Sequence, residues 1–139
     1  MGNRLYGKAK QGLFSGDIDV LANQLKILFV DSSYSPLLSS DEFVSDVLTT
    51  SIKHRSNQLT NVTNTNGVLD ADDLAVSDYP GDAFKALVIY QSSGNDATSR
   101  LIAYIEDSVG LPFPGTNSTI PLSIVWNNSS TKIIALTDS

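Results

Sequence analysis

The chain contains no cysteine and, across 139 residues, one histidine, one tryptophan, one methionine and two glutamates. Without cysteine there is neither a disulfide nor a thiolate metal site, so packing must hold the fold. With one histidine, a zinc site would need at least three carboxylates, a donor set that zinc proteins seldom use. A Ser-His-Asp mechanism would have to take His54 as its base, yet no Gly-x-Ser-x-Gly elbow is present to carry a nucleophile. His54 lies between Lys53 and Arg55 in a weakly patterned stretch and reads as a surface histidine. The glycine patterns that cradle phosphates are missing, so nucleotide binding has no support. No apolar run approaches the ~20 residues that a membrane-spanning helix needs. Residues 1–13 lack the apolar core of a signal peptide, and Tyr6 stands where a myristoylation signal requires Ser or Thr.

Charge is scarce and uneven. Charged residues form 17% of the chain, below the usual ~25%, and Ser, Thr and Asn make up the difference. Residues 1–13 hold Arg4, Lys8 and Lys10 with no acid, leaving −9 on the remainder of a chain whose net charge is −6. Five aspartates (Asp70, Asp72, Asp73, Asp78 and Asp82) follow one another with no basic residue between them. An acidic body without a clustered basic surface excludes sequence-independent nucleic-acid binding.

What is present is β-sheet. Ala86-Leu87-Val88-Ile89-Tyr90 and Leu101-Ile102-Ala103-Tyr104-Ile105 are apolar runs joined through Ser92-Ser93-Gly94-Asn95-Asp96, which is turn chemistry. Apolar on both faces, this hairpin belongs in the middle of a covered sheet. Leu87, Ile89, Leu101, Ile105, Ile124 and Trp126 are the expected core. Gln24 to Val30 reads as a further strand, and residues 50–66 as an extended edge strand. Asn66-Gly67 is a hairpin signal when flanked by strands, and Val68-Leu69 and Leu74-Ala75-Val76 are short strand candidates interrupted by Asp70, Asp72 and Asp73. Ile120 to Trp126 and Lys132 to Leu136 are expected to form a second hairpin around Asn127-Asn128-Ser129-Ser130, with Pro121 suited to a strand start or edge.

Two helices are expected. Leu5, Ala9 and Leu13, with Tyr6 and Phe14 beside them, fall at helical spacing over residues 3–14, and Gly16-Asp17 ends that helix. Ser39 followed by Glu42 is a capping-box pattern ahead of a second short helix near 40–48. Residues 1–139 therefore read as one α+β domain, mainly antiparallel β, sandwich- or barrel-like.

Other chemistry tests poorly. Aligning Gly67 with the invariant glycine of an EF-hand loop puts Val62 at the first ligand position and Asp73 at the last, where Val cannot ligate and Glu is required. A calcium site built otherwise from Asn64, Asn66, Asp70, Asp72 and Asp73 is an alternative to a solvated acidic loop. Ser129-Ser130-Thr131-Lys132 lacks the companion elements of a Ser-x-x-Lys hydrolase. Glu42 and Glu106 read as a cap and a strand-end charge rather than a glycosidase pair. Trp126 and Tyr104 read as core aromatics in preference to a sugar platform. No cofactor is expected.

Several segments together carry a family resemblance: Asn3-Arg4-Leu5-Tyr6-Gly7-Lys8-Ala9, Gly16-Asp17-Ile18-Asp19 leading into Leu25 to Asp31, and Ala71-Asp72-Asp73 followed by Ala86 to Tyr90. With Leu101 to Ile105 and Ile124-Val125-Trp126, their order resembles small virion proteins of tailed bacteriophages. The resemblance implies a non-enzymatic component: a capsid cement (decoration) protein on the outside of the major capsid shell, or a minor tail or fibre-associated protein. It also implies self-association, as a trimer in the cement case. A secreted glycan hydrolase is the rival from another class. The residues expected to dock a partner are Arg4, Leu5, Tyr6, Lys8 and Lys10, on a segment too short to be a stable helix in isolation.

Overall fold

The structure, a computed structural model, describes residues 4–22, 24–106, 111–126 and 134–135. In chain order the elements are β1 (Arg4–Leu5), α1 (Gly7–Ser15), β2 (Leu25–Val30), β3 (Ile52–Arg55), β4 (Thr63–Thr65), β5 (Val68–Asp70), β6 (Leu74–Tyr79), β7 (Ala86–Gln91), β8 (Arg100–Ile105), β9 (Ile120–Ile124) and β10 (Ile134–Ala135). The fold is β-rich α+β with antiparallel sheets, as the patterning predicts.

A five-stranded sheet of order β1-β8-β7-β2-β3 organises the rest. The apolar hairpin, β7 and β8, occupies its interior, and residues 86–90 and 101–105 are buried. β3 lies at one edge, where the weak patterning of residues 50–66 places it. Register then assigns the two faces, because residues opposite one another share a face. His54, Phe29, Leu87 and Ile105 form one row. The next row, on the other face, is Arg55, Leu28, Val88, Tyr104 and Arg4.

Each face has its own cover. On the Phe29 face, Tyr79 from β6 and Phe84 bring their rings to 5.4 and 5.0 Å from the Phe29 ring. On the Tyr104 face lies the crossover between β2 and β3, with Tyr34 at 6.2 Å from Tyr104 and with Val44 and Val47 buried. Of the expected core, Leu87, Ile89, Leu101, Ile105 and Trp126 are buried and Ile124 is half-buried against them.

Two smaller sheets complete the Phe29 side, of order β10-β5-β4 and β6-β9. Asn66 and Gly67, with φ of 52° and 78°, make the turn between β4 and β5 that their sequence predicts. Among the described residues the two strands of the second predicted hairpin do not pair with each other. β9 pairs with β6 and β10 with β5, while residues 127–133 lie outside the described residues. The reason is patterning: Leu74, Val76 and Tyr79 stand opposite Ile124, Leu122 and Ile120, so two alternating strands join their apolar sides. Pro121 and Ser123 face outward.

The predicted helix near 40–48 is also corrected. Only two 3-10 turns occur there, at Val44–Asp46 and Thr49–Ser51. Val44 donates its N–H to the Ser99 carbonyl at 2.9 Å, and Leu101 donates to the Glu42 carbonyl at 2.9 Å. Backbone groups tied sideways to the start of β8 cannot also close an α-helix. Asp46, not Ser39 with Glu42, supplies the cap: its Oδ2 accepts from the N–H of Glu42 and of Phe43 at 2.9 and 3.0 Å.

Candidate docking surface

The N-terminal residues singled out by sequence are split between core and surface. β1 adds Arg4 and Leu5 to β8, and Tyr6 donates its N–H to the Ile102 carbonyl at 3.0 Å. Tyr6 is 0% exposed, Leu5 and Lys8 are half-buried, and Arg4 and Lys10 are exposed. The segment therefore packs on its own sheet, and what it presents outward is Arg4, Lys10 and part of Lys8.

Tyr6 is fixed by a buried hydrogen-bond chain. Its hydroxyl meets the Tyr34 hydroxyl at 2.8 Å, and Tyr34 donates to Asp41 Oδ2 at 2.9 Å. Asp41 Oδ2 also accepts the Leu37 N–H at 3.0 Å. Because Tyr34 gives its proton to Asp41, Tyr6 must be the donor to Tyr34. Burial pushes the Tyr6 and Tyr34 hydroxyls well above the ordinary tyrosine range.

α1 seats closely because of Gly12. A Cβ there would fall 2.9 Å from the Ile18 Cδ1, so a larger residue would have to displace the Ile18 side chain. Gly16, in the left-handed conformation at φ 84°, ends the helix. Ala9 and Gly12 define the buried side. Five residues on from Ala9, Phe14 lies about 140° around the helix, between Lys10 and Gln11 on the outward side. Phe14 is 94% exposed, and Leu21 beyond the helix is 52% exposed. Sequence reasoning placed Phe14 beside the buried stripe; the helical angle from Ala9 was the available signal for its exposure.

The cations of this segment are also unmatched. Lys53, Arg55, Lys85 and Arg100 each have an acidic partner, at 3.2, 2.7, 3.7 and 3.6 Å. Among the described residues Arg4, Lys8, Lys10 and Lys26 have none within the same reach. Phe14 and Lys10 therefore stand together on the exposed side of α1.

The remaining candidates serve structure. The His54 ring packs edge-on against Phe29 and Tyr79, 5.5 Å from each. It borders a polar groove of about 330 Å³ between residues 54–57 and 75–78, two strand-edge segments. Asp72 Oδ2 accepts from Asn61 Nδ2 at 2.6 Å, and Asp73 Oδ1 from the Trp126 N–H at 3.0 Å. The Trp126 indole, 8% exposed, donates to the Asp72 carbonyl at 3.0 Å and is no open platform. Among the described residues no three acidic or histidine side chains converge as a metal site would require. No helix among them is long and apolar enough to cross a membrane. A gap of about 40 Å³ beneath α1, lined by Leu5, Leu13, Val20, Leu69 and Ile102 among others, has room for little more than one water. No protein-family model matches the chain, and no curated protein sequence matches it either.

Proposed function

We propose that this chain is a non-enzymatic structural protein of a tailed-bacteriophage virion, a capsid cement protein that sits on the outer surface of the major capsid shell and associates with its own copies. The observation that carries the proposal is the outward side of α1, where Phe14 stands 94% exposed beside Lys10. Exposing a phenylalanine on a helix whose other side is packed against its own sheet brings no folding benefit, whereas burying it in a contact does. A surface rich in Ser, Thr and Asn, together with the order of segments that resembles small phage virion proteins, points the same way.

Electron microscopy of the virion that carries this chain tests the proposal. Density for the domain on the outer capsid surface is the expected result. Density confined to the tail would replace the cement assignment with a tail component. Deleting residues 1–13 is an unsuitable test, because it would remove buried Tyr6 and uncover the edge of β8. Phe14→Ser and Lys10→Glu change only exposed side chains and should weaken assembly, whether onto the shell or with other copies, while leaving the fold intact.

A further inference from the structure

The exposed side of α1 and the Asp78–Asp82 stretch lie at opposite ends of the five-stranded sheet. At one end Leu25, Gln91 and Arg100 are aligned across β2, β7 and β8. Arg100 pairs with Asp17 at 3.6 Å, and its guanidinium lies 3.6 Å from where a Cβ on Gly12 would stand. Phe14 is two residues beyond. At the other end Val30 faces Ala86, and Tyr79 and Phe84 stack on Phe29. Tyr79 donates its hydroxyl proton to the Asp82 carbonyl, which fixes Asp78 and Asp82 to that end. β2 alone separates the two ends by about 17 Å. Lys10, Phe14, Asp78 and Asp82 are all exposed, and Lys10, Asp78 and Asp82 have no ion pair among the described residues. One copy cannot bring its own patches together.

We infer that the outward side of α1, with Lys10 and Phe14, docks on the Asp78–Asp82 surface of a second copy of this chain. The inference rests on reading α1 as a docking surface and adds the partner. The chain holds +3 at residues 1–13 and −9 elsewhere, so a second copy supplies the complementary charge with no further component. Phe14 provides an apolar centre and Lys10 a polar rim to it. The two surfaces differ, so the contact is heterologous: each copy uses its helix on one neighbour and its acidic end on the other. Such a contact closes into a ring when the rotation permits. The trimer of the proposed cement protein is a ring of this kind.

Charge reversal in the full-length purified chain, read by sedimentation velocity, tests this. The wild type should self-associate, more strongly at low salt than at high. Lys10→Glu should lower the association constant at least about tenfold, and so should Asp78→Lys with Asp82→Lys. Mixing the two charge-reversed proteins should restore association, because each then offers what the other lacks. Phe14→Ser should also abolish it, with circular dichroism confirming a native fold in every variant. A wild type that stays monomeric at all concentrations, or reversed variants that fail to associate when mixed, would overturn the inference. Neither result bears on the virion assignment, which the location of the domain in the electron-microscopy map decides separately.

Discussion

The buried chain from Tyr6 through Tyr34 to Asp41 makes a prediction whose sign changes with background. Tyr34 holds the middle position, taking the Tyr6 proton and giving its own to the Asp41 carboxylate, at 2.8 and 2.9 Å. Tyr6→Phe removes one neutral bond and should cost ~0.5–1.5 kcal/mol. Tyr34→Phe does more. It takes a charged-acceptor bond worth ~1.5–3 kcal/mol and strands the Tyr6 hydroxyl, at ~1–3 kcal/mol more. Tyr6 is 0% exposed, so no water can replace the lost partner. The total for Tyr34→Phe is therefore roughly 2.5–6 kcal/mol. In that background the Tyr6 hydroxyl is a liability, and adding Tyr6→Phe should recover ~1–3 kcal/mol. The double variant is thus more stable than Tyr34→Phe alone, although Tyr6→Phe destabilises the wild type. Urea denaturation of all four proteins with a common m-value gives the cycle. Additive free energies, or a Tyr34→Phe cost under ~0.5 kcal/mol, would show that the chain is not a coupled unit.

Two further perturbations probe other parts of the fold. Gly81 and Gly94 share positive φ, 99° and 89°, but a Cβ on Gly81 would fall 2.5 Å from the Ser118 carbonyl oxygen while Gly94 faces open space. Gly94→Ala should cost the backbone penalty of ~1–2 kcal/mol and Gly81→Ala distinctly more; equal losses in thermal denaturation would contradict the close approach of residues 116–118. Burial, aided by the Asp82 charge, holds the Tyr79 hydroxyl up to about 12, and burial raises Tyr6, Tyr34 and Tyr104 likewise. Groups raised in the folded state contribute fully below the unfolded value near pH ~10 and lose that contribution as pH rises toward the folded one. Urea stability should therefore fall between about pH 10 and pH 12, and a flat profile across that window would refute buried tyrosines as the cause.

The parts of the fold written in local pattern were legible. β7 and β8 announce themselves as consecutive apolar runs, Asn66-Gly67 as a hairpin turn, and Gly16 as a helix stop. Partner choice between distant strands was not. The polar stretch at residues 127–130 reads as a turn, yet Ile120, Leu122 and Ile124 match β6, whose apolar residues alternate likewise. The segment after Ser39 carries helix-capping chemistry, but its backbone is claimed by Ser99 and Leu101, remote residues with no local signature. For the docking surface, charge was visible and orientation was not. Tyr6 looked available until Tyr34 and Asp41, 28 and 35 positions away, drew its hydroxyl inside, and Phe14 looked buried until Gly12 took its place against Ile18.

The position of β1 also shapes how the chain must fold. Arg4 stands opposite Tyr104, so the first strand of the main sheet waits for a partner that follows it by about 100 residues. Closing so long a loop carries a large entropic cost before any pairing rewards it, and topologies of this kind fold slowly. The β7–β8 and β4–β5 hairpins close locally and should form early. Until β1 arrives, the outer edge of β8 is an open template for any extended segment, including one from a neighbouring nascent chain. Docking of β1 covers that edge, so a strand made about 100 residues before its partner is the last to make the molecule safe from aggregation.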